Sequence, residues 1–224
     1  MSTVHHLRLS KSNAFLLIGS KPVLIDSGSP GDLPALEKNL QKLNVALADV
    51  ALLILTHAHF DHAGNAAAVR EISHCQVAVH ELEKLLLESG KNAPMIPVHP
   101  LATIMNPFMN IPFAASKSDI ALQDTFDLNP FGADAQIIFT PGHTPGSVSV
   151  ITADGETVVG DLIGGGPLLG LFQPTKPRYH YWASSMDDVR ASLKILFART
   201  ITKIHVGHGG PLDGQEARKF FSRA

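Results

Sequence analysis

Residues 56–65, with the sequence THAHFDHAGN, constrain this chain more than any other stretch. Three histidines and one aspartate fall within six positions, directly after the apolar run ALLIL. Such a run predicts a buried strand, and residues two apart in extended backbone point the same way. His57 and His59 are therefore expected to point toward one centre. The turn into a following helix would bring Asp61 and His62 beside them.

Three later positions repeat one design, in which a histidine or aspartate follows a predicted strand and stands beside glycine. They are His143 in PGHTPG, Asp161 in VVGD and His208 in VGHGG. Glycine has no side chain, so the backbone can approach a common centre closely. The chain has twelve histidines and one cysteine, Cys75, which excludes an internal disulfide and is predicted to be a small buried side chain. A metal bound here would be held by nitrogen and oxygen.

Predicted strands and helices occur in two similar halves, which indicates a layered α/β fold. Apolar runs predict strands at residues 4–9, 13–19, 22–26, 51–55, 76–79, 120–123, 135–140, 146–152, 156–160 and 203–206. Helical spacing of apolar residues predicts helices at residues 33–44, 61–72, 81–88 and 186–199, and from residue 215. No hydrophilic linker separates the halves, so residues 1–224 are expected to form a single domain.

The segment from about residue 90 to 118 fits no regular pattern. Its five prolines are interleaved with methionine and other apolar residues, which suits neither a regular strand nor a polar, disordered linker. Two interpretations stay open. The segment is either a lid or pocket wall, since methionine adapts to varied shapes, or a packed connector or subunit contact, which would include a homodimer.

Charge and composition narrow the expected partners. The formal net charge is −2, and no block of like charges occurs. Nucleic acid and anionic membranes both require a concentrated basic surface, so neither is expected to bind, and a small-molecule substrate is expected instead. The apolar piece AFLLI at residues 14–18 is too short for a signal peptide or a membrane span. We therefore expect a cytoplasmic protein.

Taken together, these motifs closely resemble those of the metallo-β-lactamase-fold hydrolases, and of the glyoxalase II-like branch in particular. The resemblance extends from Asp26 to His208, with the motifs THxHxDHxG, GHTxG, GD and GH in the family order. It implies a four-layer αβ/βα sandwich with the site between sheet edges, and Asp26 matches the aspartate that supports the ligand loop. It also implies that one metal is held by His57, His59 and His143 and a second by Asp61, His62 and His208. Asp161 would bridge the two metals.

Seven nitrogen and oxygen ligands suit two divalent metal ions, with zinc expected first and iron or manganese as alternatives. Two cations about 3.5–4 Å apart lower the pKa of a shared water and so provide hydroxide near neutral pH. That bridging hydroxide would attack the carbonyl carbon of a thioester, an ester or a similar substrate. The predicted catalytic residues are His57 and His59, which hold a metal, and Asp61, which can orient the hydroxide or pass on its proton.

Other activities stay open. The motif HFDHAG also resembles that of acyl-homoserine lactonases, and the apolar residues 93–113 could hold an acyl chain. A persulfide dioxygenase would use one iron bound to His57, His143 and Asp161. A metal-binding regulatory module without enzymatic activity would be expected to have lost ligands, and none is lost here. A secreted β-lactamase would carry a signal sequence, which is not expected in this chain.

A further segment, RYHYW at residues 178–182, follows a Gly/Pro-rich loop after Asp161. Arg178 could bind a substrate carboxylate, and Tyr179 and Tyr181 could donate hydrogen bonds to an oxyanion. The alternative is a packed aromatic segment with a surface arginine.

Overall fold

The computed structural model describes residues 2–223 and contains two six-stranded sheets. The first sheet contains six neighbouring strands, which are β1 (Thr3–Arg8), β2 (Asn13–Ile18), β3 (Pro22–Ile25), β4 (Leu52–Ile54), β5 (Gln76–His80) and β6 (Ile120–Leu122). Its first three strands are antiparallel, and β3 to β6 are parallel.

The second sheet also has six neighbouring strands, which are β7 (Thr125–Asp127), β8 (Ala135–Phe139), β9 (Val148–Thr152), β10 (Glu156–Val158), β13 (Lys203–His205) and β14 (Leu212–Asp213). All of its pairs are antiparallel except β10 and β13, which are parallel. A separate antiparallel ribbon consists of β11 (Ile163–Gly165) and β12 (Pro177–Tyr179).

The described residues 2–223 contain eight α-helical segments. They are α1 (Leu33–Gln41), α2 (Phe60–Ala63), α3 (Ala66–Ser73), α4 (Glu81–Ser89), α5 (Pro100–Met105), α6 (Pro167–Gly170), α7 (Met186–Phe197) and α8 (Gly214–Phe221). Short 3₁₀ turns occur at Leu47–Asp49, Asn106–Phe108 and Asn129–Phe131. Over residues 2–223, every helix is too short or too polar to cross a membrane.

The layers of the fold follow from side chains that alternate along each strand. In β2, Phe15 and Leu17 point into the core between the two sheets, whereas Leu16 points to the opposite face, where α1, α3 and α4 pack. In the second sheet, Ile137 faces the inner core, and Ile138 faces α7 and α8. The chain therefore has four layers in the order helix, sheet, sheet, helix, which confirms the predicted fold class.

All ten predicted strands are present, with ends that differ by no more than two residues. Cys75 is buried against the helical face of the first sheet, as predicted. The continuous helix predicted at residues 61–72 is wrong, because the structure divides it into α2 and α3. The break lies at Gly64, whose N–H donates to the carbonyl of Gly28 at 2.9 Å instead of to a helical partner. The strands β7, β11, β12 and β14 were not predicted, since two or three residues carry too little periodicity.

The segment at residues 90–118, which fits no regular pattern in the sequence, contains α5 and one 3₁₀ turn. Proline is compatible with the first helical position, where its missing N–H would have no helical partner, and α5 begins at Pro100. The ring of His99 caps this end, because its Nδ1 atom accepts a hydrogen bond from the N–H of Leu101 at 3.2 Å. The prolines that obscured the pattern therefore include one that starts a helix.

This segment also packs against two loops that carry predicted site residues. The N–H of Ala93 donates to the carbonyl of Ala58 at 3.0 Å, and the N–H of Val98 donates to the carbonyl of Tyr181 at 3.0 Å. Its methionine and leucine side chains pack with Tyr181 and Trp182. These contacts favour the pocket-wall interpretation of the segment.

Candidate metal centre

The candidate site is formed by loops that follow strands running in the same direction within each sheet. Because β3 and β4 are parallel neighbours, Asp26 and residues 56–62 leave the first sheet at the same edge. In the second sheet, β8 and β10 are both antiparallel to β9, and β13 is parallel to β10. The residues that follow these strands, His143, Asp161 and His208, therefore also share one edge.

Three histidines form the first group. The nitrogen atoms that His57, His59 and His143 offer lie within 4.8 Å of one another. The closest pair is His59 Nδ1 and His143 Nε2, which are 3.0 Å apart. All three side chains are buried, so the surrounding protein atoms restrict their positions.

A second group consists of Asp61, His62 and His208, whose nearest ligand atoms also lie within 4.8 Å of one another. Asp161 lies between the two groups. Its Oδ2 atom is 3.2 Å from His208 Nε2, 3.4 Å from His62 Nε2 and 3.7 Å from His143 Nε2. The structure thus brings all seven predicted ligands together, and their individual roles stay predictions.

The outer nitrogen of several imidazoles is anchored by the backbone. Three site histidines each place one ring nitrogen 2.9–3.1 Å from a carbonyl oxygen, namely His59 at Ala93, His143 at Trp182 and His208 at Lys11. Such outer contacts fix the tautomer and the ring orientation of a metal-binding histidine. The remaining nitrogen of each ring is therefore directed into the cluster.

Asp26, predicted to support the ligand loop, is fully buried behind it. Its Oδ1 atom accepts a hydrogen bond from the N–H of Thr56 at 2.8 Å, and its Oδ2 atom accepts one from the Thr56 hydroxyl at 2.8 Å. The same Oδ2 atom lies 2.8 Å from His62 Nδ1, and Thr56 Oγ1 lies 3.0 Å from His57 Nδ1. One carboxylate therefore orients His62 directly and His57 through Thr56.

At two positions, neighbouring side-chain atoms come so close to the backbone that only glycine fits. A Cβ atom at Gly207 would lie 2.1 Å from Asp161 Oδ1, and one at Gly160 would lie 2.6 Å from Thr56 Oγ1. Gly160 also has a φ of +52°, which disfavours other residues. The glycines that flank the predicted ligands thus let the second-sheet loops meet the histidine loop.

Burial keeps three imidazoles neutral. It lowers the pKa of His57, His59 and His143, and the pKa of His59 falls to about 3. Neighbouring histidines add to the effect at His57 and His59 by coulombic repulsion. A neutral imidazole has a free lone pair on one ring nitrogen, and it is therefore the form of histidine that binds a metal.

Carboxylates reverse this tendency at the other two histidines. Burial opposes protonation of His62 and His208. The negative charges of Asp161 and of other nearby aspartates outweigh burial, so that the pKa of His62 is raised and the pKa of His208 rises to about 10. Burial likewise opposes ionisation of Asp61 and Asp161, yet nearby histidines lower the pKa of both carboxyls. Because a metal must replace such protons, binding at this group is expected to release them.

The donor set fits divalent metal ions. Over the described residues 2–223, the buried atoms His57 Nε2, His62 Nε2 and Asp161 Oδ1 have no hydrogen-bond partner. A buried polar atom left unpaired costs about 1–3 kcal/mol, and a bound cation would pair all three. Imidazole nitrogen and carboxylate oxygen suit zinc, iron and manganese alike.

The predicted substrate-binding residues do not all face the cluster. Arg178 and Tyr181 line a small cleft that is also bordered by His180 and His208. The Arg178 guanidinium lies over the Tyr181 ring, 4.4 Å from its centroid. Tyr179 borders the same cleft, but its ring packs against Phe221 of α8 at a centroid distance of 4.9 Å.

Two residues of functional interest were not predicted from the sequence to bind a metal or to support the site loops. His180 lies in the RYHYW segment, and its Nε2 atom is 3.4 Å from Asp161 Oδ2. Glu83, on α4, is buried at 1% exposure and connects two site loops. Its Oε2 atom accepts a hydrogen bond from the N–H of Ala58 at 3.0 Å, and its Oε1 atom accepts one from the N–H of Gly146 at 3.1 Å. The only sequence signal for Glu83 is a charged residue on the apolar face of a helix.

Replacing Glu83 with glutamine is expected to destabilise the protein by about 1–3 kcal/mol. The amide of glutamine has a single acceptor oxygen, so one of the two loop N–H groups would face an NH₂ donor. The free energy of unfolding in urea measures the effect. Glu81→Gln, at an exposed position on the same helix, is the matched control and should change stability by less than about 0.5 kcal/mol. Equal unfolding midpoints for the two variants would contradict this role of Glu83.

Comparison with known proteins agrees with this geometry. The family model described as the Metallo-beta-lactamase superfamily matches residues 7–208. A probable metallo-hydrolase of Methanocaldococcus jannaschii is 29% identical over 203 residues, covering 88% of this chain and 87% of that protein. A probable metallo-hydrolase of Bacillus subtilis is 29% identical over 212 residues, covering 91% of this chain and 87% of that protein.

Solved structures show the same fold. The B3 metallo-beta-lactamase BLEG-1 has a TM-score of 0.68 at 26% identity, and the match covers 97% of each chain. The Rm3 metallo-beta-lactamase has a TM-score of 0.71 at 21% identity, with 99% of this chain and 87% of the other covered. The second likeness concerns the fold alone, because its identity is low.

Proposed function

The chain belongs to the metallo-beta-lactamase superfamily and is a metal-dependent hydrolase, and we propose that it uses two metal ions to cleave a thioester or ester, as in the glyoxalase II-like branch. The observation that carries this proposal is the arrangement of seven buried side chains, of which six form two groups of three and Asp161 lies between the groups. A single metal would leave one of these groups without a function.

In this proposal His57, His59 and His143 would hold one metal, Asp61, His62 and His208 would hold the other, and Asp161 would supply a ligand to each. When bound, the metals would supply a water of lowered pKa as the nucleophile and would polarise the carbonyl oxygen of the substrate. Zinc is the first choice, with iron or manganese as alternatives.

The residues of the chain would contribute orientation and proton transfer. Asp61 Oδ2 lies 3.4 Å from His208 Nε2, and its carboxylate can accept a hydrogen bond or a proton from the attacking water. Tyr181 accepts a hydrogen bond from the N–H of Leu168 at 2.9 Å, which leaves its own O–H free to donate to a substrate oxygen. Arg178 provides a positive charge in the same cleft for an anionic part of the substrate.

A lactone is the second candidate substrate, and the apolar wall at residues 90–118 favours it. Met95, Leu101 and Met105 pack with Tyr181 and Trp182 beside the site. In the same segment, Ile104 and Phe108 expose most of their apolar surface. An acyl chain that leaves the site along this wall would cover part of that surface.

The test combines metal analysis with a substrate panel. The purified protein is assayed for bound metals and for turnover of a thioester, an ester, an acyl-homoserine lactone and a cephalosporin. Two equivalents of zinc, iron or manganese and cleavage of the thioester or ester are expected. Dialysis against a chelator should abolish turnover, and the same metal should restore it.

Other outcomes would assign the site differently. Preferential cleavage of the lactone or the cephalosporin would replace the thioester in the proposal. One iron with oxygen consumption in the presence of a persulfide would favour the dioxygenase. Stoichiometric metal without turnover of any substrate would favour a regulatory module. A protein without bound metal, even after incubation with zinc, iron or manganese, would contradict the metal centre itself.

A further inference from the structure

We propose that His180 is an eighth metal ligand, which binds a metal ion together with His143 and Asp161. This inference rests on the proposed metal centre but adds a residue outside the seven side chains assigned there. His180 directly follows β12, the second strand of the short ribbon, and is 8% exposed. Its Nε2 atom is buried and has no hydrogen-bond partner among the described residues 2–223.

The distances match those between ligands of one metal. His180 Nε2 lies 3.4 Å from Asp161 Oδ2, and His143 Nε2 lies 3.7 Å from the same oxygen. Ligands that each lie about 2.0–2.2 Å from a tetrahedral zinc ion are about 3.4 Å apart. The three ligand atoms of this set all fall within 4.8 Å of one another.

The ring orientation of His180 also parallels that of His143. His143 Nδ1 lies 2.9 Å from the carbonyl oxygen of Trp182, and His180 Nδ1 lies 3.3 Å from the same oxygen. The backbone of Trp182 thus contacts the outer nitrogen of both rings, through its carbonyl at His143 and through its carbonyl and its N–H (3.4 Å) at His180. The two rings cross edge to face with centroids 4.7 Å apart. Each Nε2 atom is thereby directed toward Asp161, as expected for metal-binding histidines with an outer hydrogen bond.

A structural role explains these observations less well. A histidine that only fills space would be expected to use both ring nitrogens in hydrogen bonds, because an unpaired buried nitrogen is costly. A histidine that only contacts substrate would not need a carboxylate oxygen at ligand distance. His180 has an unpaired inner nitrogen, and Asp161 lies at that distance.

The test compares His180→Ala and His180→Gln with the parent protein in metal binding. Affinity for zinc is measured by competition with a chromophoric chelator, and the coordination of Co²⁺ is followed by its visible absorption spectrum. Both variants are expected to bind zinc at least about tenfold more weakly, since even the loss of an outer contact to a ligand typically costs that much. The Co²⁺ spectrum of both should shift, because the ligand field has changed.

Controls separate the possible results. His74→Ala, at an exposed histidine that ends α3, should leave affinity and spectrum unchanged. His180→Gln keeps a hydrogen-bond donor at this place, so a glutamine variant with parental affinity and spectrum would show that His180 is a donor and would overturn the proposal. Circular dichroism identifies a variant that fails to fold, and the other variant then decides.

A third variant distinguishes this inference from the proposed function. His143→Ala should lose metal whether or not His180 is a ligand. If His143→Ala loses metal and both His180 variants do not, the inference fails and the metal centre stands. If none of the three affects metal binding, the proposed centre fails as well.

Discussion

Replacing Asp161 with asparagine is expected to lower kcat/KM for the hydrolysed substrate by about 1000-fold or more. Removing a single electrostatic contact to the reacting groups of a hydrolase already costs about 100- to 1000-fold, and Asp161 serves more than one partner. Its Oδ2 atom lies within 3.2–3.7 Å of Nε2 atoms of His62, His143, His180 and His208. Asparagine keeps the shape of the side chain but removes the negative charge that faces both groups of ligands.

Metal content provides the second measurement for this variant. The parent is expected to hold two equivalents and Asp161→Asn fewer, because a neutral amide is a poor ligand for a divalent cation. Asp187→Asn, on the exposed surface of α7, is the matched control and should retain full metal content and activity. Parental kcat/KM and metal content in Asp161→Asn would exclude the proposed bridging position.

Replacing Asp26 with alanine is expected to destabilise the protein by about 3–5 kcal/mol, the usual cost of removing one partner of a buried charged pair. The substitution leaves the N–H of Thr56 without an acceptor and His62 Nδ1 without its carboxylate. It also releases the Thr56 hydroxyl, which orients His57. We expect metal affinity to fall by about 10- to 100-fold in addition to the loss of stability.

A second substitution at this position separates the two effects. Asp26 has a φ of +61°, a conformation that asparagine tolerates better than alanine. Asp26→Asn keeps an acceptor oxygen for Thr56 and should therefore recover part of the free energy of unfolding in urea, without recovering the charge beside His62. Equal stability of the alanine variant and the parent protein would contradict the support role of Asp26.

Much of the fold can be predicted because it depends on residues that are close together in the sequence. The buried strands carry continuous apolar runs, and the alternation of side chains within them depends only on backbone geometry. The histidine motif is also local, since His57 to His62 occupy one strand end and one helical turn. Where the local pattern was weak, the prediction failed: Gly64 divides a helix through its contact with Gly28, 36 positions earlier in the sequence.

The roles of Glu83 and His180 depend on contacts between distant parts of the chain. Glu83 accepts hydrogen bonds from the N–H groups of Ala58 and Gly146, which are 25 and 63 positions away. His180 approaches Asp161 because β12 pairs antiparallel with β11, which brings the end of β12 beside the residues just before β11. Tyr179, one position before His180, packs against Phe221 instead of facing the cluster.

The residue types of the site, their positions at strand ends and the class of ligand atoms they offer can all be inferred from the amino-acid sequence. These properties follow from side-chain chemistry and from the short-range geometry of strands and turns. The folded structure was needed to show which nitrogen of each ring points inward, that Asp161 lies between the two groups, and that an eighth side chain, His180, reaches it. Those features depend on how the two sheets pack, because distances between loops are set by the layers beneath them rather than by sequence spacing.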